Sequence, residues 1–340
     1  MVLVFRFLGF LAVLFSLATV SHANDGFGEV GIGGLVLKNT DAISMDKEEL
    51  FISAKRIRVD YLMTNQTDKD VEAIVMFPLP DVALAAESES ARGLFDYGRD
   101  LKFETKVDGK DFPITLVQRA FVGETDITDD LLKAGLPING VAEKFEKLVL
   151  ALPRETQLDL IKLGALPRNT DDAGNEVPYP PDLYFAPEWT LRSMMTRTQM
   201  FPAGKTIAVS HSYTPLEGAS VGGNLGPDMR KEDYFKEKVK TYCIDDSWIA
   251  AFDKQVKKRT KGDGNAPYSE VWLKYILKSG ATWKGPIRNF RLVVDKGEKD
   301  TLVSFCGEGV KKIGPTTFEV RKKDFEPTED LNVLLVNWAE

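Results

Sequence analysis

Across much of this chain apolar residues recur at every second position, and that period restricts the fold more than any other feature. Ile57, Val59, Tyr61 and Met63 alternate with Arg58, Asp60 and Leu62, and Val71, Ala73, Val75 and Phe77 repeat the pattern a few residues later. Side chains on a pleated strand point alternately to opposite faces, so a period of two puts one set on a buried face. Between the runs lies Asn65-Gln-Thr-Asp-Lys-Asp70, whose Asn and Asp side chains bond their own backbone and favour a turn. The stretch "YLMTNQTDKDVEAIVMFPLP" therefore predicts a hairpin. Its second strand should stop pairing at Phe77 or continue as an edge, because Pro78 and Pro80 lack the N–H that a ladder requires. Leu79, held extended before a proline, can still point into the core.

The same reading extends along the chain. Phe103, Thr105 and Val107 lead to Asp108-Gly109, a strong turn signal, and Phe112, Ile114 and Leu116 return, which predicts a second hairpin. The period then becomes helical at 128–132, 141–150 and 155–163, each bounded by Gly or Pro, and defines a helical insert at about 123–165. "PRNTDDAGNEVPYPPD" is too polar and proline-rich to pack and reads as an exposed linker. Strand character resumes at 189–200 and at Lys205-x-Ile207-x-Val209-x-His211-x-Tyr213, a pattern that echoes Lys55, Ile57 and Val59. Helices are expected at 233–241 and 247–258, where Ile249, Phe252 and Val256 share a face, followed by strands at 271–277, 287–294, 302–306, 317–320 and 331–336. The expected fold is mainly β with helical insertions (α+β), an antiparallel β-sandwich built as one large or two adjacent sandwiches.

Residues 1–23 have the layout of a secretory signal peptide: Arg6 as the positive region, a 14-residue apolar run at 7–20, and Ser21-His22-Ala23 ending in a small residue. Cleavage is expected after Ala23. The rival reading, a membrane anchor, wants about 20 apolar residues. No cysteine near the cleavage point could carry a lipid, and no later segment approaches spanning length. Removing the leader from the 340 residues leaves 317, with 43 basic against 51 acidic residues and a net charge of −8. That length suggests two domains, 24–220 with the helical insert and 221–340 with a helical segment before a C-terminal β-domain. The acidic balance argues against nucleic acid and anionic membrane surfaces. The basic cluster Lys254, Lys257, Lys258, Arg259 and Lys261 lies at a helix end, where cations complement the dipole.

Several stretches together resemble a bacterial family of exported proteins, domain of unknown function 4424. They include "GIGGLVL", "ISMDKEELFIS", "MFPLP", "FPAGKTIAVSHSYTPLEG", "YILKSGATWKGPIRNFRLVVDKG" and "LVSFCGEGVKKIGPTTFEV". The run ending in Phe-Pro-Leu-Pro is also similar, more weakly, to the vault protein inter-alpha-trypsin (VIT) type β-domain. The family resemblance implies export and a shared fold, and it carries no activity that would nominate catalytic residues.

Chemistry must therefore be sought in the residues. Gly26-x-Gly28-x-x-Gly31 formally matches a dinucleotide fingerprint, but it follows the cleavage site and runs into the strand-like Leu35-Val-Leu37 where a helix should open, so an irregular glycine-tolerant arm is expected. With the leader removed, His211 is the one histidine; Ser210 and Ser212 point away from it on a strand, which disfavours local Ser-His catalysis. His211 and Tyr213 are candidates for polar contacts in a ligand cleft, against the plainer reading of core residues. Trp189 and Trp283 are candidates to line the same cleft or stack on sugars, against a core role. Asn169, Asp171, Gly174 and Glu176 offer calcium-friendly oxygens without EF-hand spacing. Cys243 and Cys306 are expected to form a disulfide in an oxidising compartment; a thiol nucleophile or metal ligand is the alternative, with no CxxC to support it.

The functional expectation is an exported, non-catalytic binding or scaffold protein of the bacterial cell envelope, periplasmic or secreted, with no cofactor and with an envelope protein or polymer as partner. The competing classes are a carboxylate-dependent hydrolase of an envelope polymer and a small-ligand carrier.

Overall fold

The computed structural model describes residues 25–31, 34–84, 97–139, 145–181, 187–260 and 268–339. The leader, its cleavage point and Lys261 lie outside the described residues. In chain order the elements are β1 (Gly26–Gly31), β2 (Gly34–Leu37), β3 (Ile43–Ser53), β4 (Arg56–Asn65), β5 (Val71–Pro78), β6 (Val82–Ala83), α1 (Tyr97–Asp100), β7 (Glu104–Val107), β8 (Lys110–Asp111), β9 (Thr115–Val122) and β10 (Thr125–Asp126). Then come α2 (Thr128–Lys133), α3 (Phe145–Leu150), α4 (Arg154–Lys162), β11 (Thr190–Phe201), β12 (Thr206–Tyr213), β13 (Glu217–Ser220), α5 (Asp233–Tyr242) and α6 (Asp246–Arg259). The chain ends with β14 (Tyr268–Tyr275), β15 (Ile287–Asp295), β16 (Leu302–Phe305), β17 (Lys311–Lys312), β18 (Thr317–Phe325) and β19 (Leu331–Trp338).

These strands form three sheets. An eight-stranded base runs β17-β18-β15-β3-β4-β12-β7-β8; a seven-stranded sheet runs β10-β9-β11-β5-β1-β2, with β6 also on β11; a four-stranded sheet runs β13-β14-β19-β16. Among the described residues these strands pair antiparallel except β15 and β3, which are parallel. The base carries strands from both sides of residue 220: β15, β17 and β18 join it through β3. The expected division between 24–220 and 221–340 thus runs through one continuous sheet.

Alternation explains the layering. Ile57, Val59, Tyr61 and Met63 of β4 are buried in one core with Val75 and Phe77 of β5, and with Leu273 and Tyr275 of β14 and Val333 and Leu335 of β19. The base therefore buries a single face against both smaller sheets. Each of those has a second apolar face under helices. Ala120, Leu191 and Trp189 bury Leu131 of α2, Phe145 of α3 and Leu160 of α4; Leu334 and Val336, on the opposite face of β19 from Val333, bury Phe235 of α5 and Phe252 of α6.

The expected first hairpin is corrected. β4 lies in the base and β5 in the seven-stranded sheet, so residues 66–70 form an arch from one layer to the other. β11 and β12 make a second arch, and the two brace each other. Asn65, fully buried, donates through Nδ2 to Lys69 O and Phe201 O, both at 2.8 Å, and accepts from Thr67 N at 2.9 Å. Gly204 N reaches Thr67 O at 3.0 Å, and Ala203 N reaches Asp70 Oδ1 at 2.8 Å. Hairpin and arch impose the same alternation, which is why the pattern alone selects neither. The two strands whose patterns echo each other, β4 and β12, are antiparallel neighbours, and the register does not follow the echo: Ile207 pairs with Met63, His211 with Val59 and Tyr213 with Ile57. The second hairpin is present in shortened form: Val107 pairs with Lys110 around Asp108-Gly109, with φ +48° and +78°, before the chain crosses to β9 in the other sheet.

Two further expectations change. Gly26–Gly31 and Gly34–Leu37 are paired strands, and β1 adds to β5, so the glycine-rich segment extends a sheet where an irregular arm was expected. The polar stretch after α4 is mostly exposed but ties itself down: Tyr179 is buried and its hydroxyl donates to Pro167 O at 2.5 Å.

Candidate functional site

His211 and Tyr213 stand on the inward face of β12, and both are buried. Ser212 faces outward, its hydroxyl accepting from Arg56 Nε at 2.7 Å. The imidazole is held from both nitrogens. Nε2 lies 3.1 Å from Asp25 Oδ2, and Nδ1 lies 3.0 Å from Thr105 Oγ1. The carboxylate accepts, so Nε2 carries the proton and Nδ1 accepts from the threonine hydroxyl. Asp25 also receives Arg197 through Nη2 at 2.8 Å and Nη1 at 3.4 Å. The Arg197 Nη1 approach to His211 Nε2, also 3.4 Å, then brings two donors together and contributes no bond.

The cluster is sealed. Asp25 has no exposed surface, and the side chains of Arg197 and His211 are 1% and 0% exposed. Burial alone would raise the Asp25 pKa, but Arg197 and His211 together hold it well below the usual carboxylate range. Burial lowers the His211 pKa, outweighing the opposing pull of Asp25 and aided by Arg197. The cluster is thus a carboxylate–guanidinium pair with a neutral imidazole. Trp283 closes it, donating from Nε1 to Asp25 O at 2.5 Å, and Tyr61 and Tyr275 lie beside it with their hydroxyls 3.3 Å apart. The arrangement fastens the residue that leads into β1 into the core.

Trp189 stands elsewhere, under the helical insert, with Nε1 donating to Ile138 O at 2.7 Å. The structure therefore gathers His211, Tyr213 and Trp283 into one core and leaves Trp189 in another. In the loop with calcium-friendly residues the oxygens are engaged locally: Asp171 accepts from Ala173 N and Asn175 N, and Glu176 pairs with Arg168. Among the described residues, no group of three or more His, Cys, Asp or Glu could hold a metal ion.

A cleft of about 810 Å³ opens where the base sheet extends past the four-stranded sheet. None of the four candidate residues lines it. Its floor is Phe290 and Leu292 of β15 with Phe318 and Val320 of β18; its walls are Val303 and Phe305 of β16, and Trp248 and Ala251 of α6. Asp324, at φ +47°, interrupts the alternation of β18, and Phe325 also lines the cleft. The rim carries Asp245, Glu308, Glu329 and Asp330 with Lys322 among them.

Cys243 and Cys306 form the expected disulfide at this rim, 63 residues apart in sequence. Cys243 caps α5 in a left-handed conformation, φ +52°, so the bridge fixes the α5–α6 corner to the end of β16. Asp245 then caps α6, accepting from Trp248 N at 2.7 Å, and Trp248 Nε1 donates to Val303 O at 3.1 Å. One wall of the cleft is tied to the other by a covalent bond and a hydrogen bond.

Fold and cleft together define a β-rich α+β protein in which one broad sheet underlies two narrower ones. The chain belongs to the family described as "Domain of unknown function (DUF4424)", matched over residues 23–334. A comparison with curated proteins finds no match. Among solved structures the chain is similar to one described as a "putative nutrient binding protein" from Legionella pneumophila subsp. pneumophila str. Philadelphia 1, at 14% identity and a TM-score of 0.41, over 92% of this chain and 72% of that one.

Proposed function

We propose that this is an exported binding protein of the bacterial cell envelope, and that it acts by holding a ligand in the cleft between β16, α6 and the β15–β18 side of the base sheet. The carrying observation is the cleft itself: about 810 Å³, within the size range of ligand sites, mostly apolar in its lining and edged by a few charged groups. Its walls are cross-linked by Cys243–Cys306, so little ordering entropy remains to be lost on binding. Export is supported by the leader pattern and by a disulfide that persists in an oxidising compartment. No helix among the described residues is long and apolar enough to cross a membrane.

The test is a thermal-shift screen of amphipathic small molecules and envelope-polymer fragments on the chain beginning at Asn24. A binder stabilises by RT ln(1 + [L]/Kd) and raises Tm with concentration. Ala251→Trp, which fills the cleft from α6, should abolish the shift. Binders whose shift survives Ala251→Trp would move the site elsewhere and refute the assignment.

A further inference from the structure

The cleft already holds one cation over an aromatic ring. Lys322 Nζ lies 5.3 Å from the Phe325 ring centroid and 3.1 Å from Glu308 Oε2. Phe290 packs behind Phe325, with ring centroids 4.6 Å apart. An ammonium above a ring with a carboxylate beside it is the chemistry that recognises organic cations, and cation–π contact is worth about 0.5–2 kcal/mol depending on desolvation.

The rest of the lining fits the same ligand. Four carboxylates and one lysine line the cleft, so its field favours a positive guest. Phe305, Phe318 and Leu292 offer apolar surface for a carbon chain. Lys322 holds its place weakly, because Glu308 is 92% exposed and an exposed ion pair contributes only about 0–1 kcal/mol.

We infer that the cleft takes a small amphipathic ammonium, its chain between the Phe305 wall and the Phe318 floor and its cation over Phe325 beside Glu308, and that Lys322 is the resident competitor for that seat. The inference rests on the binding reading above. It adds the charge of the ligand and a built-in control on its affinity.

The test is calorimetric titration with hexyltrimethylammonium, hexanol and hexanesulfonate. The ammonium should bind more tightly than the alcohol and the sulfonate. Lys322→Gln should tighten the ammonium alone by about tenfold, equivalent to about 1.4 kcal/mol, and Glu308→Gln should weaken it. Phe325→Leu should reduce the preference for ammonium over alcohol while hexanol binding persists. Equal affinities for the three probes, or unchanged ammonium affinity in Lys322→Gln, would overturn the cation seat. If hexanol and the ammonium bind equally and Ala251→Trp removes both, the cleft stands as a binding site and the cation seat falls. If none of the three binds, the cation seat falls, and the cleft is decided by the thermal-shift screen with Ala251→Trp.

Discussion

Arg197→Met isolates the energetics of the buried cluster. The change removes two hydrogen bonds to a carboxylate, one at 2.8 Å and one at 3.4 Å. Bonds to charged groups contribute about 1.5–3 kcal/mol each, the longer one less. The total, about 3–5 kcal/mol, matches the cost of leaving a buried charge without its partner. Because Met is unbranched and flexible, it fills much of the vacated space, so the loss is mainly electrostatic.

The cost should depend on pH, and the sign follows from His211. In the native protein its pKa is lowered by burial. Acidification therefore protonates the unfolded chain first, and the His211 contribution is fully present above the unfolded value of about 6.5 and declines below it. In Arg197→Met one of the influences lowering that pKa is gone while burial still lowers it and Asp25 still raises it, so the folded pKa is less depressed than in the wild type and less stability is lost on acidification. The variant should accordingly be closer to wild type at pH 5.5 than at pH 8. Urea unfolding of the chain beginning at Asn24, followed by tryptophan fluorescence, reads this directly, because Trp283 touches Asp25. Asp25→Asn with Arg197→Met keeps an acceptor for His211 Nε2 and removes the stranded charge, so it should cost less than Arg197→Met alone at pH 8. A single-variant loss below about 1 kcal/mol, where surface changes fall, or a loss equal at both pH values, would refute the reasoning.

Three other perturbations probe the frame around the sites. Cys243→Ser with Cys306→Ser should lower stability by up to about 4 kcal/mol in the chain-entropy account, read as a lower urea midpoint than the oxidised wild type; an unchanged midpoint would mean that the bridge constrains little. Lys238 and Glu270 form a buried pair between α5 and β14, with the lysine 4.5 Å from the Trp272 ring. Lys238→Met alone should destabilise by about 3–5 kcal/mol, and Lys238→Met with Glu270→Leu by much less, measured in the same unfolding assay. Asn65→Ala leaves Lys69 O, Phe201 O and Thr67 N without the partners that brace the arches, and should cost about 2–3 kcal/mol; protection of amide protons at 66–70 and 203–205 should fall with it.

Much of the fold was legible because alternation reports burial directly. The predicted strands at 287–294, 302–306 and 331–336 lie within a residue or two of β15, β16 and β19. Alternation does not say what covers a face. β4 and β5 read as neighbours in one sheet and face each other across the core, because inward residues repeat every second position in either geometry. The glycine-rich β1 was hidden for another reason: glycine has low strand propensity, and this strand is held by pairing to β2 and β5 and by the anchoring of Asp25. Arg197 and Gln199 did leave a trace, as polar residues at inward positions between Met195 and Phe201.

The cleft was beyond reach of the pattern for a geometric reason. It is lined by β15, β16, β18 and α6, and it opens where the β15–β18 side of the base runs past β16, the edge of the four-stranded sheet that covers that end. A surplus of sheet width leaves inward residues such as Phe318 only partly covered, although their alternation is the same as that of the buried Val320 beside them. Sequence periodicity states which side of a strand is apolar; whether that side meets another sheet or a ligand depends on where the covering layer ends. At the β16 edge that layer is held by the disulfide and by Trp248. Loosening the bridge should therefore change the cleft before it changes the core, and ligand affinity should fall in Cys243→Ser with Cys306→Ser even where the fold persists.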